Sequence, residues 1–168
     1  MQVVFPKLDQ LSIFSLSIGK IWNNGRLPSS RSAFQSLTTI KVGDCNNLKG
    51  LIPSFMTASL VHLRDLFVGS CKAMKEIVFI EHVMGNYISF PKLEYLKLEN
   101  LPNLERFCGG DCVDCPSLLK LKISGCPKLR VFVTNNIPTT TTKKENENLR
   151  SSVDKHISHH KVILICFC

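Results

Sequence analysis

The sequence predicts a solenoid with short parallel β-strands on its concave face, loops and short helical turns on its convex face, and a disordered C-terminal tail. Three observations predict it. One pattern of apolar residues recurs five times, each copy contains a stretch with a period of two, and the pattern stops at Phe132.

The five copies are FPKLDQLSIFSL from Phe5, FQSLTTIKVGDCNNL from Phe34, LVHLRDLFVGSCKAM from Leu60, FPKLEYLKLENLPNL from Phe90 and CPSLLKLKISGCPKL from Cys115. They share an apolar opening, two variable positions, and then L-x-x-L-x-[LIV]-x-x-[CL]-x-x-[LM]. The first leucines, Leu8, Leu37, Leu63, Leu93 and Leu118, are spaced 29, 26, 30 and 25 residues apart. No single copy can bury its own apolar face, so neighbours must stack and share one continuous core. The class is a leucine-rich-repeat solenoid covering residues 1–133.

Each element follows from its place in the template. The pairs Leu11/Ile13, Ile40/Val42, Leu66/Val68, Leu96/Leu98 and Leu121/Ile123 alternate, as a short strand with one buried face requires. Eight and eleven residues past the first leucine, the apolar slots turn inward again and fill a deeper layer. The returning halves carry Pro, Gly and Asn without a helical stripe, which predicts loops and short helical turns there. Residues 134–168 are polar and biased, with four consecutive threonines at 139–142. Such a segment cannot bury enough to order itself, and it is expected to be disordered.

Composition narrows the function. The chain has 168 residues, 44% of them hydrophobic and 20% charged, enough for one folded domain with a sizeable core. Its formal net charge is +8, which suits an acidic partner, nucleic acid or an anionic surface. Aromatic residues (ten Phe, two Tyr, one Trp) do not interleave with basic ones, so base stacking is not expected and nucleic acid is excluded as a partner. The longest apolar run, Val162 to Cys168, is far too short to span a membrane. Neither a signal peptide nor an Asn-x-Ser/Thr acceptor is present, so the eight cysteines are expected to be free thiols in a reducing compartment.

Four cysteines between positions 108 and 126, with a Cys-x2-Cys at Cys112 and Cys115, raise the question of a metal site. The repeat alignment points elsewhere. Cys45, Cys71 and Cys126 occupy the slot that holds Leu16 and Leu101, and Cys115 occupies the opening slot of Phe5, Phe34, Leu60 and Phe90. A small thiol suits such core positions, and only Cys108 and Cys112 are expected in loop. Two loop thiols do not complete a tetrahedral zinc site. His156, His159 and His160 fall in the tail, His62 at a variable repeat position and His82 in a long connection. No nucleophile elbow or phosphate loop is present. No enzyme activity, cofactor or metal is therefore expected.

The remaining candidate is the surface the strands present. Outward-facing residues should stack from repeat to repeat in three columns: Gln10, Thr39, Asp65, Tyr95, Lys120; then Ser12, Lys41, Phe67, Lys97, Lys122; then Phe14, Gly43, Gly69, Glu99, Ser124. Exposed aromatics ringed by charge point to a protein-binding surface formed by Tyr95, Lys41, Phe67, Lys97, Lys122, Lys120, Asp65 and Glu99, with an acidic partner. The other reading of the same lysines is that they keep an exposed sheet soluble and block wrong pairing.

The run FPKLEYLKLENLPNLERF, followed by DCPSLLKLKISGCPKLRVF, resembles the C-terminal leucine-rich repeats of plant intracellular disease-resistance receptors of the coiled-coil, nucleotide-binding class. The F-P-x-L openings at Phe5 and Phe90, the C-P-x-L opening at Cys115, the C-x-x-[LM] closures at Cys45, Cys71 and Cys126, and Lys75-Glu76-Ile77-Val78 carry the resemblance. It covers residues 3–133. It implies a cytoplasmic recognition module whose partner is a pathogen effector, a guarded host protein or the receptor's own nucleotide-binding domain. It also implies a fragment without that domain, whose first strand is an unprotected edge. Two alternatives remain. Asn46-Asn47-Leu48-Lys49-Gly50-Leu51-Ile52-Pro53 resembles the signature of extracellular repeat-receptor ectodomains, and cysteine-bearing repeats also occur in substrate-recruiting adaptors of ubiquitin ligases.

Overall fold

The computed structural model describes residues 7–22, 34–80, 87–109, 112–130 and 153–156. Each aligned copy contributes one five-residue strand to the main sheet: β1 (Gln10–Phe14), β2 (Thr39–Gly43), β4 (Asp65–Gly69), β7 (Tyr95–Glu99) and β10 (Lys120–Ser124). Successive members pair in parallel, in the order β1-β2-β4-β7-β10. Parallel pairing needs a long crossover, and the return half of each repeat supplies it.

The alternating residues meet the core as the pattern requires. Ile40, Val42, Leu66, Val68, Leu96, Leu98, Leu121 and Ile123 are buried, and so are the openings Phe34, Leu60, Phe90 and Cys115. Leu48, Met74, Leu104 and Leu129 close the deeper layer, and Phe90 meets Phe107 edge to face at 6.3 Å. Among the described residues the first repeat is the most open, and Leu118 in the fifth is also half-buried. Leu8, Leu11 and Ile13 are half-buried and Leu16 is 45% exposed, whereas their counterparts in the next three repeats are sealed.

Backbone hydrogen bonds clip each repeat to the next at both ends of its strand. At the start, one carbonyl accepts two amides from the neighbouring repeat. Asp9 O takes those of Thr38 and Thr39, Thr38 O those of Arg64 and Asp65, Arg64 O those of Glu94 and Tyr95, and Glu94 O those of Leu119 and Lys120. At the finish, the chain turns through a left-handed residue: Ser15, Asp44, Ser70, Asn100 and Gly125 have φ between 52° and 64°. The amides of Ser15, Asp44, Ser70 and Asn100 donate to Gly43, Gly69, Glu99 and Ser124 one repeat on.

The return halves carry the expected loops and a short helical turn, and add short strands that the sequence did not predict. A single 3-10 helix, Ser54–Ser59, occurs among the described residues, and five short strands interrupt the loops. Strands β3 (Gly50–Pro53), β5 (Glu76–Phe79) and β8 (Arg106–Cys108) form a second parallel sheet, and β6 (Tyr87–Ser89) pairs with β9 (Cys112–Asp114). Stacking puts equivalent backbone one strand spacing apart, and pairing satisfies amides that a buried loop would leave orphaned. The indole of Trp22 donates to Leu51 O at the edge of this second sheet and packs edge to face on Phe34. Of the segment expected to be disordered, Val153–His156 is described, and it forms a strand, β11, antiparallel to β10. The rest of residues 134–168, including His159 and His160, lies outside the described residues, as does His82.

Candidate protein-binding surface

Strand register assembles the outward residues into the three columns that the alternation predicts. Gln10, Thr39, Asp65, Tyr95 and Lys120 are consecutive partners, as are Ser12, Lys41, Phe67, Lys97 and Lys122, and Phe14, Gly43, Gly69, Glu99 and Ser124. All eight candidate residues therefore stand on one face of the sheet. Lys41, Asp65, Phe67, Tyr95, Lys97, Lys120 and Lys122 line a shallow concavity of about 460 Å³. Glu99 lies beside it. Tyr95 is the most exposed aromatic of the group, at 46%.

The arrangement within this face is specific. Lys97 Nζ sits 5.0 Å above the centre of the Phe67 ring and 2.6 Å from Glu99 Oε2. A cation over a half-exposed ring gains about 0.5–1 kcal/mol, and here the carboxylate two residues along the strand holds the ammonium from the other side. Lys97 thus bridges the Phe67 ring and Glu99. Gly69 completes the seating of Phe67, Gly43 does the same for Phe14, and sequence reasoning missed both. A Cβ on Gly69 would lie 2.9 Å from Phe67 Cζ, and one on Gly43 would lie 2.7 Å from the ring of Phe14. The rings occupy the space that a side chain at these positions would need. A glycine two residues after an aromatic, as in Phe67-Val68-Gly69, was the available signal.

The thiols belong to the scaffold. Cys45, Cys71 and Cys126 each donate to the carbonyl two residues back, at 3.3, 3.2 and 3.5 Å. Burial pushes the Cys71 thiol up to about 11, Cys115 to about 12, and Cys126 upward as well. At neutral pH these groups are protonated, the form that neither attacks nor binds metal. Cys108 and Cys112, expected in loop, instead end β8 and begin β9, and Cys108 is buried. Their strands pair with neighbours one repeat away, which a local reading of Gly109-Gly110 does not reveal. Among the described residues no group of three or more His, Cys, Asp or Glu could hold a metal. His62 is exposed, with Nδ1 2.8 Å from Gln35 O. Among the described residues, no helix is long and apolar enough to cross a membrane.

Comparison with known proteins adds to this geometry. A family model described as plant disease resistance protein RPS2-like, leucine-rich repeats, matches residues 7–144. Over 131 residues, 76% of the chain, it is 28% identical to a probable disease resistance protein of Arabidopsis thaliana, At4g27220. Over 114 residues, 67% of the chain, it is 31% identical to the disease resistance protein UNI of the same plant. The chain spans only 14% and 12% of the lengths of these two relatives. No solved structure matches it.

Proposed function

The chain belongs to the leucine-rich repeats of plant disease resistance proteins, and from that premise we propose that it is the protein-recognition module of an immune receptor, working in the cytoplasm by binding rather than by catalysis. Its partner is a pathogen effector, a host protein guarded against one, or the receptor's own nucleotide-binding domain. Nucleotide chemistry would reside in that other domain, in the part of the relatives that this chain does not span. Membership of this family favours the reading over the extracellular ectodomain and the ubiquitin-ligase adaptor.

The observation that carries the reading is the aromatic pair on the concave face. Phe67, held between Gly69 and Lys97, and the exposed Tyr95 form an apolar platform with lysines around it. Aromatic anchors held in one conformation lose little entropy on binding and dominate protein interfaces. Lysines that only kept an edge soluble would need no such platform.

The test is photo-crosslinking in plant cells, with a benzophenone amino acid at Tyr95 or at Phe55. Phe55 is equally accessible but lies in the Ser54–Ser59 helix, away from the main sheet. Protein adducts are expected from position 95 and not from position 55. No adduct from position 95, or the same adducts from both, would overturn the reading.

A further inference from the structure

We propose that the outer edge of β10 is a strand-addition site for an extended polypeptide segment that alternates apolar and acidic residues, with Val153–His156 as its displaceable stand-in. The site lies apart from the platform of Phe67 and Tyr95, and the proposal goes beyond the recognition reading without resting on it.

Topology defines the place. β10 is the last of the five parallel strands, and β11 runs along its outer side in the only antiparallel pairing among the described residues. β11 lacks the clips that join the earlier repeats at both ends of their strands. Among the described residues, no amides donate to the carbonyl of Leu119, the counterpart of Asp9, Thr38, Arg64 and Glu94. Nor does the amide of Gly125, the counterpart of Ser15, Asp44, Ser70 and Asn100, donate to a strand beyond it. What remains is the ladder itself: Lys120 with His156, Leu121 with Lys155, Lys122 with Asp154 and Ile123 with Val153. An edge held by so short a ladder is open to exchange for a better-matched strand.

Register sets the chemistry. Leu121 and Ile123 are buried in the core, whereas Lys120 and Lys122 belong to the outward columns of the concave face. Residues directly opposed in an antiparallel pair share a face. The positions opposite Ile123, Lys122, Leu121 and Lys120 therefore call, in chain order, for apolar, acid, apolar and acid. β11 supplies valine, aspartate, lysine and histidine. The first two match. The third sets a lysine against a core leucine, and the fourth sets a second basic residue against Lys120. A partner gains at those two positions, while at Lys122 it only exchanges one acid for another.

Fluorescence anisotropy on the purified chain tests this, with the labelled peptide Gly-Ser-Thr-Val-Asp-Val-Glu-Thr-Ser-Gly as the probe. A peptide of the same composition without the alternation, Gly-Ser-Thr-Val-Val-Asp-Glu-Thr-Ser-Gly, should bind about tenfold more weakly. Two variants of β11 should act in opposite directions. Asp154→Lys sets like charges opposite each other, loosens the stand-in, and should tighten peptide binding about fivefold. The double variant Lys155→Val, His156→Glu completes the match and should weaken peptide binding about tenfold. Neither variant replaces a residue of the five repeats. Hydrogen exchange locates the site: saturating peptide should slow the amides of Lys120–Ser124 about fivefold in Asp154→Lys. No measurable binding, equal binding of the two peptides, shifts in the same direction from the two variants, or protection only elsewhere on the chain would overturn the proposal. So would a dimer that Asp154→Lys dissolves, since the edge would then hold the β11 of a second copy.

Discussion

The ring of Phe67 lies across Gly69 so closely that a methyl group at position 69 would stand 2.9 Å from Cζ. The obstructing atom is the far end of a side chain, so Gly69→Ala should tilt the ring rather than move the backbone. Gly69 is buried beneath that ring, but the ring can swing outward, so we expect a stability change of less than about 1 kcal/mol. Lys97 should meanwhile lose its place over the ring. Proton NMR checks this: the upfield ring-current shift of the Lys97 ε-methylene should diminish in Gly69→Ala and in Phe67→Leu.

The left-handed turns at the strand ends give a prediction in two directions. Ser70 has φ 53° and Gly125 has φ 64° at the same slot of different repeats. A left-handed conformation costs an L-residue about 1–2 kcal/mol, partly offset in comparisons with glycine by glycine's freer unfolded chain. Ser70→Gly should therefore stabilise by about 0.5–1 kcal/mol. Gly125→Ala should destabilise by about 1–2 kcal/mol, because its Cβ would lie 3.1 Å from the backbone N and Cα of Asn100. Opposite shifts of the urea midpoint at unchanged slope would show both.

Buried thiols make stability fall at high pH. Burial raises Cys71 to about 11 and Cys115 to about 12, above the ordinary thiol value. The fold thus favours the protonated form, and its contribution is complete below about pH 8.5. Above that, unfolded thiols ionise first, and stability should decline as pH rises towards 11 and 12. Each thiol contributes at most about 1.4 kcal/mol per pH unit. Denaturant midpoints between pH 7 and 11 test the direction. At pH 8 the native protein should leave Cys71 and Cys115 unmodified by iodoacetamide, and denatured protein should not.

Trp22 is the single tryptophan and reports on one place. It docks the half-open first repeat on Phe34 and on the carbonyl of Leu51. In a stacked array, a repeat with incomplete burial opens before the sealed ones. The Trp22 emission should therefore shift to the red at lower urea than the loss of far-ultraviolet circular dichroism. Superimposed transitions would mean that the first repeat is no weaker than the rest.

The face of the protein was legible because its physics is local and periodic. Alternation over residues such as Leu66-Phe67-Val68 states which side chain points outward, and identical alternation in each repeat forces Asp65, Tyr95 and Lys120 into register. The return side was not legible. Gly50–Pro53, Glu76–Phe79 and Arg106–Cys108 are too short to declare themselves as strands, and Pro53 and Gly109 argue locally against one. Their pairing is imposed by the neighbour one repeat away. The same holds for Gly43, whose purpose is visible only from the ring of Phe14 one repeat away.

The double-acceptor carbonyls carry a consequence for how such a face can diversify. Asp9, Thr38, Arg64 and Glu94 hold equivalent places and make the same backbone grip, although one is a short acid, one a hydroxyl, one a long base and one a long acid. The clamp between successive turns is thus written in peptide groups, blind to the letters beside it. Substitutions along the outward columns can accumulate one by one without loosening the spring that displays them. A lineage under pressure from changing targets can respell the message while the page stays bound.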